Sequence, residues 1–394
     1  MDHSAGDSLT VRGFRLPPLW LAVATVAAAW VAGFGIAGWV LLFVQKPVHS
    51  DFRVFYVAGE AVTRNGFSRI YDLSTLRALS SVFPAGQNTI EPSTAYVNPP
   101  LLAWLIAPLT AFPYPAAYAV WTAVLLAALV WSWWITCSAV GLAKVTLLLA
   151  ALALWPVIDD LYYGQSCLLI LGLVAAAWWL CDRQRPVAGG IALALATMLK
   201  PQDIFVVPFA LLASGRVRPF VGWSAGCAVL AVLFWISLGQ AGVKDWGAAL
   251  AYEQQGGLPS QFTATGALPG LLALGLEAVQ AALGLLIAWK KRAQLELVFA
   301  AGLIGSIAAA FFLHQSDYSV LVLAGWLILR TAPSRLHLAW LGVGIATMQA
   351  VSLSMPVPQL IWNGAWLLGM TVSSFVGTAR RNWRDGHALS NPRV

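Results

Sequence analysis

Long runs with no charged side chain alternate with short charged knots along this chain, and the length of the runs sets the class. Leu19–Val44 carries no Asp, Glu, Lys or Arg in 26 residues, Pro92–Ala143 none in 52, and Leu336–Ala379 none in 44. About 20 apolar residues in a helix cross the hydrocarbon core of a bilayer. The pattern therefore predicts an all-α, polytopic transmembrane bundle of about 12 spans over residues 19–380, with short tails at 1–18 and 381–394. One apolar piece, 99–112, is short and punctuated by Pro108 and Pro113, so it is expected to re-enter or lie at the interface rather than cross. The alternative makes it a true span and demotes 145–158, which places Lys144 outside.

Composition sharpens this picture mainly by exclusion. With 59% hydrophobic and 10% charged residues, the 394-residue chain cannot cover the surface of the two or three soluble domains its length would allow. A β-barrel is excluded because barrel strands are short and alternate apolar with polar positions. The first run exceeds a signal-peptide core, and no small-x-small cleavage site follows within Gln45–Ser50, so it reads as a retained first helix. The four cysteines lie in or beside apolar segments and are expected to be free thiols. No G-x-G-x-x-G follows a strand pattern, and no internal repeat stands out.

Charge placement gives orientation. Sixteen of the 23 basic residues, including Arg183, Arg185, Arg216, Arg218, Lys290, Lys291, Arg292, Arg330 and Arg335, fall into alternate connections and tails that read as cytoplasmic. That side carries about +11, the outer side about −3, and with Glu277 inside the membrane the total is the formal +7. Both termini are then cytoplasmic, the basic balance reflects topology and anionic lipid, and no nucleic acid is called for. The outer mass is a long loop at 45–98 and a medium one at 239–265. Two amphipathic surface helices are expected in the long loop. The first, Arg53–Arg64, sets Val54, Val57, Ala58, Ala61 and Val62 against Arg53, Glu60 and Arg64; the second begins at an Asp72 cap and carries Leu73, Leu76, Leu79 and Phe83.

Several motifs then fall in a characteristic order. Asp51-Phe-Arg-Val-Phe-Tyr56-Val-Ala58 is followed by Gly66, Ile70-Tyr71-Asp72, Tyr96-Val-Asn98-Pro99-Pro100 and Pro108. Gly164-Gln165 precedes a span, Leu199-Lys200-Pro201-Gln202 ends one, and His314 with Asp317-Tyr318 marks the next outer mouth. Over about residues 15–380 the set resembles glycosyltransferase family 87, whose members include polyprenyl-phosphate-mannose-dependent α-1,2-mannosyltransferases. The resemblance implies a membrane-embedded enzyme of the GT-C type that moves a sugar, most readily mannose, from a polyprenyl-phosphate donor to a glycolipid or glycan acceptor on the extracytoplasmic face of a bacterial inner membrane. Two departures bear on the acceptor. Gly164-Gln165-Ser166-Cys167 stands where the family often has Gly-Gln-x-Asn, and in the 239–265 loop the available amides are Gln254, Gln255 and Gln261.

Inversion at a sugar carbon needs one base for the acceptor hydroxyl, while the phosphate leaves without a general acid. Asp51, just past the first span, is the expected base; its alternative is a helix-starting aspartate. Lys200 is the first candidate to meet the phosphate, the alternative being a snorkelling lysine; Arg53, Arg69, His314 and Gln202 follow. Tyr56, Asn98, Asp159, Asp160, Gln165, Asp317 and Tyr318 supply hydrogen bonds and ring faces for sugar and acceptor, or are ordinary loop and helix-end residues. No cofactor beyond the lipid-linked donor and no divalent metal are expected, since no His-x-x-His or clustered acidic motif is present. Glu277, mid-span, is what would support the main alternative, a lipid or solute transporter. A non-catalytic structural subunit is a third reading, under which replacing Asp51 affects stability alone.

Overall fold

A computed structural model describes residues 17–46, 48, 50–84, 90–91, 95–255 and 262–389, with the backbone alone described at 50, 253–255 and 374–389. Its described residues contain helices and no strand. Among the membrane-length helices, α1 (Leu19–Gln45) packs one face on α6 and α7 and leaves the other exposed, fully burying only Ala32. The expected surface helices follow as α2 (Ser50–Asn65) and α3 (Leu73–Ser80), then α4 (Pro100–Ile106), α5 (Tyr114–Thr136), α6 (Gly141–Leu152) and α7 (Trp155–Tyr163). A run of shorter helices comes next: α8 (Cys167–Asp182), α9 (Pro186–Thr197) and α10 (Val206–Ala213). Completing the chain are α11 (Val217–Gln255), α12 (Ala264–Ala267), α13 (Gly270–Lys290), α14 (Leu295–Ala309), α15 (Leu321–Arg330), α16 (Arg335–Ala350) and α17 (Val357–Leu389).

Of the expected 12 spans, five described helices are long and apolar enough to cross a membrane (α1, α5, α11, α13 and α16), and the α6–α7 pair makes a sixth if it counts as one span bent by 58°. Pro156 opens α7 and forces that bend, because its ring cannot continue α6. The helices α8, α9 and α14 are apolar but only 12–16 residues long. At 1.5 Å per residue that is roughly 18–24 Å, less than the ~30 Å core, so extended and 3-10 segments supply the remaining depth. Irregular backbone at such a depth is tolerated only inside protein or along a cavity.

At the centre lies α14, buried from Leu297 through Ala309, with α13, α10, α15, α17 and α8 around it. Small residues let its neighbours close in: a Cβ on Gly302 would sit 2.8 Å from the Val207 Cα. The α9–α11 crossing is closer still. A Cβ on Gly190 would meet the Pro219 carbonyl at 2.1 Å, and one on Gly222 would meet that of Val187 at 2.4 Å.

The outer-loop region departs from expectation. Every residue of α2 from Phe52 to Ala61 is buried, Arg53 and Glu60 included, so α2 does not lie amphipathically on a lipid surface. The 100–111 segment, α4 plus a 3-10 turn too short to cross, folds over it, and Gly59 makes room for that contact, its missing Cβ only 3.1 Å from the Ala107 nitrogen. Glu60 is matched by Arg64 at 3.0 Å. The second expected helix holds: the Asp72 carboxylate accepts from the Ser74 amide at 3.0 Å and the Thr75 hydroxyl at 2.8 Å. The 239–265 loop is largely helical instead, as α11 resumes after a break at Gly239 (φ 63°). This second half covers the turn that follows α2, with Trp246 stacked on Tyr71 at 5.5 Å and donating to the Val97 carbonyl. Gln261 lies outside the described residues, as do residues 1–16 of the expected N-terminal tail, while the backbone of α17 runs into the expected C-terminal tail as far as Leu389.

Because α9 and α11 touch backbone to backbone, Gly190→Ala should force them apart and cost about 1–3 kcal/mol or more. Gly33→Ala, with nothing within 4 Å of its Cβ, should stay within about 0.5 kcal/mol. Thermal unfolding of the two variants in the same detergent compares them directly.

Candidate active site

Helix α7 ends at Gly164 in the left-handed region (φ 67°), and any Cβ there would come within 2.8 Å of Phe52. The turn has two consequences. It swings Gln165 towards the start of α2, where its amide donates to Asp51 Oδ2 at 2.5 Å. It also lets α8 start at Cys167 with its first amides facing back, and both oxygens of Asp160 receive them, from Cys167 and Leu168 at 3.0 Å each. Asp160 is thus a carboxylate held at a helix N-terminus, where backbone dipoles favour its charge. It and Asp159 belong to a buried helix and are not ordinary loop residues.

Lys200 follows the end of α9 in an extended conformation, as a residue before proline prefers, and Pro201 opens a 3-10 turn ending at Asp203. Its side chain is 5% exposed and does not snorkel. It turns inward to an ion pair with Asp317 Oδ1 and lies 3.9 Å from the Cys167 sulfur. Asp317 is fully buried yet completely served: Oδ1 also takes the Cys167 thiol at 3.1 Å, and Oδ2 takes the His314 amide at 2.8 Å. Burial by itself would raise the Asp317 carboxyl, but Lys200 and His314 outweigh it and hold it below the usual carboxylate range. Lys200 in turn is held above its ordinary value: burial works against its charge and Asp317 prevails.

These bonds draw one end of the bundle together: the start of α2, the α7–α8 turn, the end of α9, and the 310–320 connection between α14 and α15. Asp51, Gln165, Lys200 and Asp317 come together there, and Asp159 sits in the combined field of Asp160, Asp51, Asp317 and Lys200. The His314 ring is exposed at the mouth, edge-on to Phe312 at 4.9 Å and within reach of the charges on Lys200, Asp317 and Asp51. Arg53 is buried beside Asp51 and Tyr114. Gln202 lines an adjoining cavity of about 430 Å3 with Phe205, Ala281 and Phe311. Glu277 lines it too and accepts from the Thr265 hydroxyl at 2.6 Å, so it is not an isolated carboxylate at the midplane.

Four other expected residues are engaged elsewhere. Tyr56 donates to the Phe112 carbonyl at 2.9 Å, and the fully buried Tyr318 to that of Phe262 at 2.6 Å. The backbone carbonyl of Asn98, not its side-chain amide, receives the Tyr71 hydroxyl at 2.6 Å. Arg69 is solvent-exposed and pairs with Asp72 at 3.1 Å. Conversely, Cys167 and Asp203 occupy the heart of the cluster without having been singled out. Their signals were present, a thiol where an amide was expected and an acid directly after Lys-Pro-Gln, but neither says that it turns inward. The sulfur of Cys167 and carboxylate oxygens of Asp203 and Asp317 lie within 4.8 Å of one another, a donor set that could hold a metal, although the Lys200 ammonium already serves Asp317.

Removing one partner of a buried pair strands the other charge. Lys200→Met and Asp317→Asn should each destabilise the protein by about 3–5 kcal/mol, and Lys200→Met combined with Asp317→Leu should recover much of that loss. Equal additive losses in the double variant, read by unfolding in detergent, would show that the two charges do not depend on each other.

No curated protein and no solved structure matches the chain. The family model of glycosyltransferase family 87 matches residues 96–329, well over half of it. The matched stretch holds Asp159, Asp160, Gln165, Cys167, Lys200, Asp203, His314 and Asp317, and it begins after Asp51 and Arg53. An all-helical bundle with several membrane-length apolar helices and a match of this extent lead to one conclusion: the chain belongs to glycosyltransferase family 87 and is a membrane glycosyltransferase.

Proposed function

We propose that this glycosyltransferase is an inverting hexosyltransferase taking its sugar, mannose by preference, from a polyprenyl-phosphate donor and passing it to a glycolipid or glycan at the extracytoplasmic face of a bacterial inner membrane. The observation that carries the reading is the junction of Asp51 with the Lys200–Asp317 site through Gln165. A base and a cation at one mouth suit a reaction in which a proton leaves one substrate while an anion leaves the other. Asp51 takes the proton from the acceptor hydroxyl as its oxygen attacks the anomeric carbon. The bond from that carbon to the phosphate oxygen breaks, and its electron pair departs with the phosphate. Gln165, donating to one Asp51 oxygen, orients the other towards the acceptor.

Lys200 contributes through its field, because its ammonium is bound to Asp317, and His314 at the mouth is the group in direct reach of the phosphate. Asp159 is placed to receive sugar hydroxyls. Asp160, already accepting two amides, acts by fixing the start of α8. The basic knots support the orientation. Arg183 and Arg185 stand at the far end of α8 from Cys167, and Lys290 at the far end of α13 from the cavity that Glu277 shares with Gln202. By the positive-inside tendency the site end then faces out.

Purified protein should transfer labelled mannose from polyprenyl-phosphate mannose to a membrane lipid extract. Asp51→Asn, with an unchanged melting profile, should lose about 10²–10⁴-fold in rate. Full activity in the variant moves the base to Asp159, and silence of the wild type across a panel of lipid-linked sugars rejects the donor class. A reporter enzyme fused after the C terminus should be active only in its cytoplasmic form.

A further inference from the structure

Where no water reaches, charge has to be matched locally, and around Cys167 one acid is left over. Asp160 is held by the Cys167 and Leu168 amides, and Asp317 by Lys200, the Cys167 thiol and the His314 amide. Asp203 is just as deeply buried, yet both of its carboxylate oxygens are without a hydrogen-bond partner. An anion there would lose its hydration and gain no donor. The groups facing it are Asp317 from the 310–320 connection, Lys200 from its own segment, Asp160 from α7 and the Cys167 thiol from α8. Two other helices pack against its turn: α9 has no ionisable side chain, and Glu296, the acid of α14, stands at the opposite end of that helix. The one ammonium, already committed to Asp317, leaves nothing to neutralise a further carboxylate except a proton or a metal ion.

We infer that Asp203 works as a neutral carboxylic acid, a positioning residue whose hydrogen is offered to Asp317 or the Cys167 sulfur and whose ionisation would disarm Lys200. The sulfur and the two carboxylates lie within 4.8 Å, so a rotation of the Asp203 carboxyl brings its hydrogen towards either acceptor. While Asp203 is neutral, Lys200 answers to one carboxylate, and the pair adds no net charge to the field at the mouth. Once it ionises, two carboxylates share one ammonium, and the surplus charge repels an arriving or departing phosphate. A proton suits the site better than a metal, since a divalent ion would compete with Lys200 for Asp317. Burial and the neighbouring Asp317 and Asp160 act in the same sense, raising the Asp203 carboxyl well above its ordinary range against the opposing pull of Lys200.

This inference rests on the phosphate donor proposed above for its kinetic readout but not for its thermodynamic one, so the test uses both on the full-length protein. Because folding raises the proton affinity of Asp203, the native state holds a proton that the unfolded chain releases above about pH 4. Wild-type stability should therefore fall as pH rises from there until the buried carboxyl itself ionises. Asp203→Asn lacks this loss, so its melting temperature relative to wild type should climb with pH. In the transfer assay, the wild type should lose about tenfold per pH unit on its alkaline side, the slope of a single proton, and Asp203→Asn should lack that limb. A variant destabilised by the same amount at every pH would overturn the inference, as would stoichiometric zinc in purified wild type that is lost from the variant. If the wild type transfers nothing, the donor reading fails while the melting comparison still decides the state of Asp203.

Discussion

Lys200 and Asp317 meet where water is excluded, and each would be costly to bury without the other. Their contact ties the end of α9 to the connection between α14 and α15, two segments more than a hundred residues apart in the chain. The Cys167 thiol joins the same carboxylate, so the start of α8 is fixed by it too, and through Asp160 so is the end of α7. Gln165, two residues before Cys167, then carries the constraint to Asp51. A single ion pair thereby sets the geometry of a site drawn from four parts of the bundle.

The helices bearing these groups are short, and that is a condition of the site rather than a defect of the fold. Full-length helices would satisfy their own backbones and leave only side chains to face a substrate. Helices ending early expose amides and carbonyls that something must meet. The α8 amides meet Asp160, the Ala103 amide meets the Tyr96 hydroxyl, and the Gly164 carbonyl receives the Trp121 indole. Around this broken interior, α1, α11, α13 and α16 present large apolar side chains to lipid and need no such devices.

Much of this was legible in the chain. The uncharged runs establish the helical membrane class, and the Asp72 cap and the short 99–112 segment were both expected from local rules that depend on few neighbours. The order of short motifs pointed to the family that the match over residues 96–329 shows. Less legible was what covers what. The pattern of α2 promised an amphipathic helix with Arg53 and Glu60 on its wet face; the structure buries both because the 100–111 segment and α3 close over it, and no periodicity within α2 encodes those covers. Span length failed to transfer for a related reason, since an apolar run does not say whether it is one straight helix or two halves bent at a proline.

The candidate residues divide along the same line. Sequence by itself determined membrane class, family and the presence of Asp51, Lys200, His314 and Asp317 near segment ends, because hydropathy and motif order are properties of the chain. Only tertiary structure decided that Lys200 turns inward, that Tyr56 and Tyr318 donate their hydroxyls to backbone carbonyls, and that Cys167 and Asp203 stand at the centre. The reason is that a polar group in a dry interior is defined by its partners, and those partners come from segments far apart in sequence.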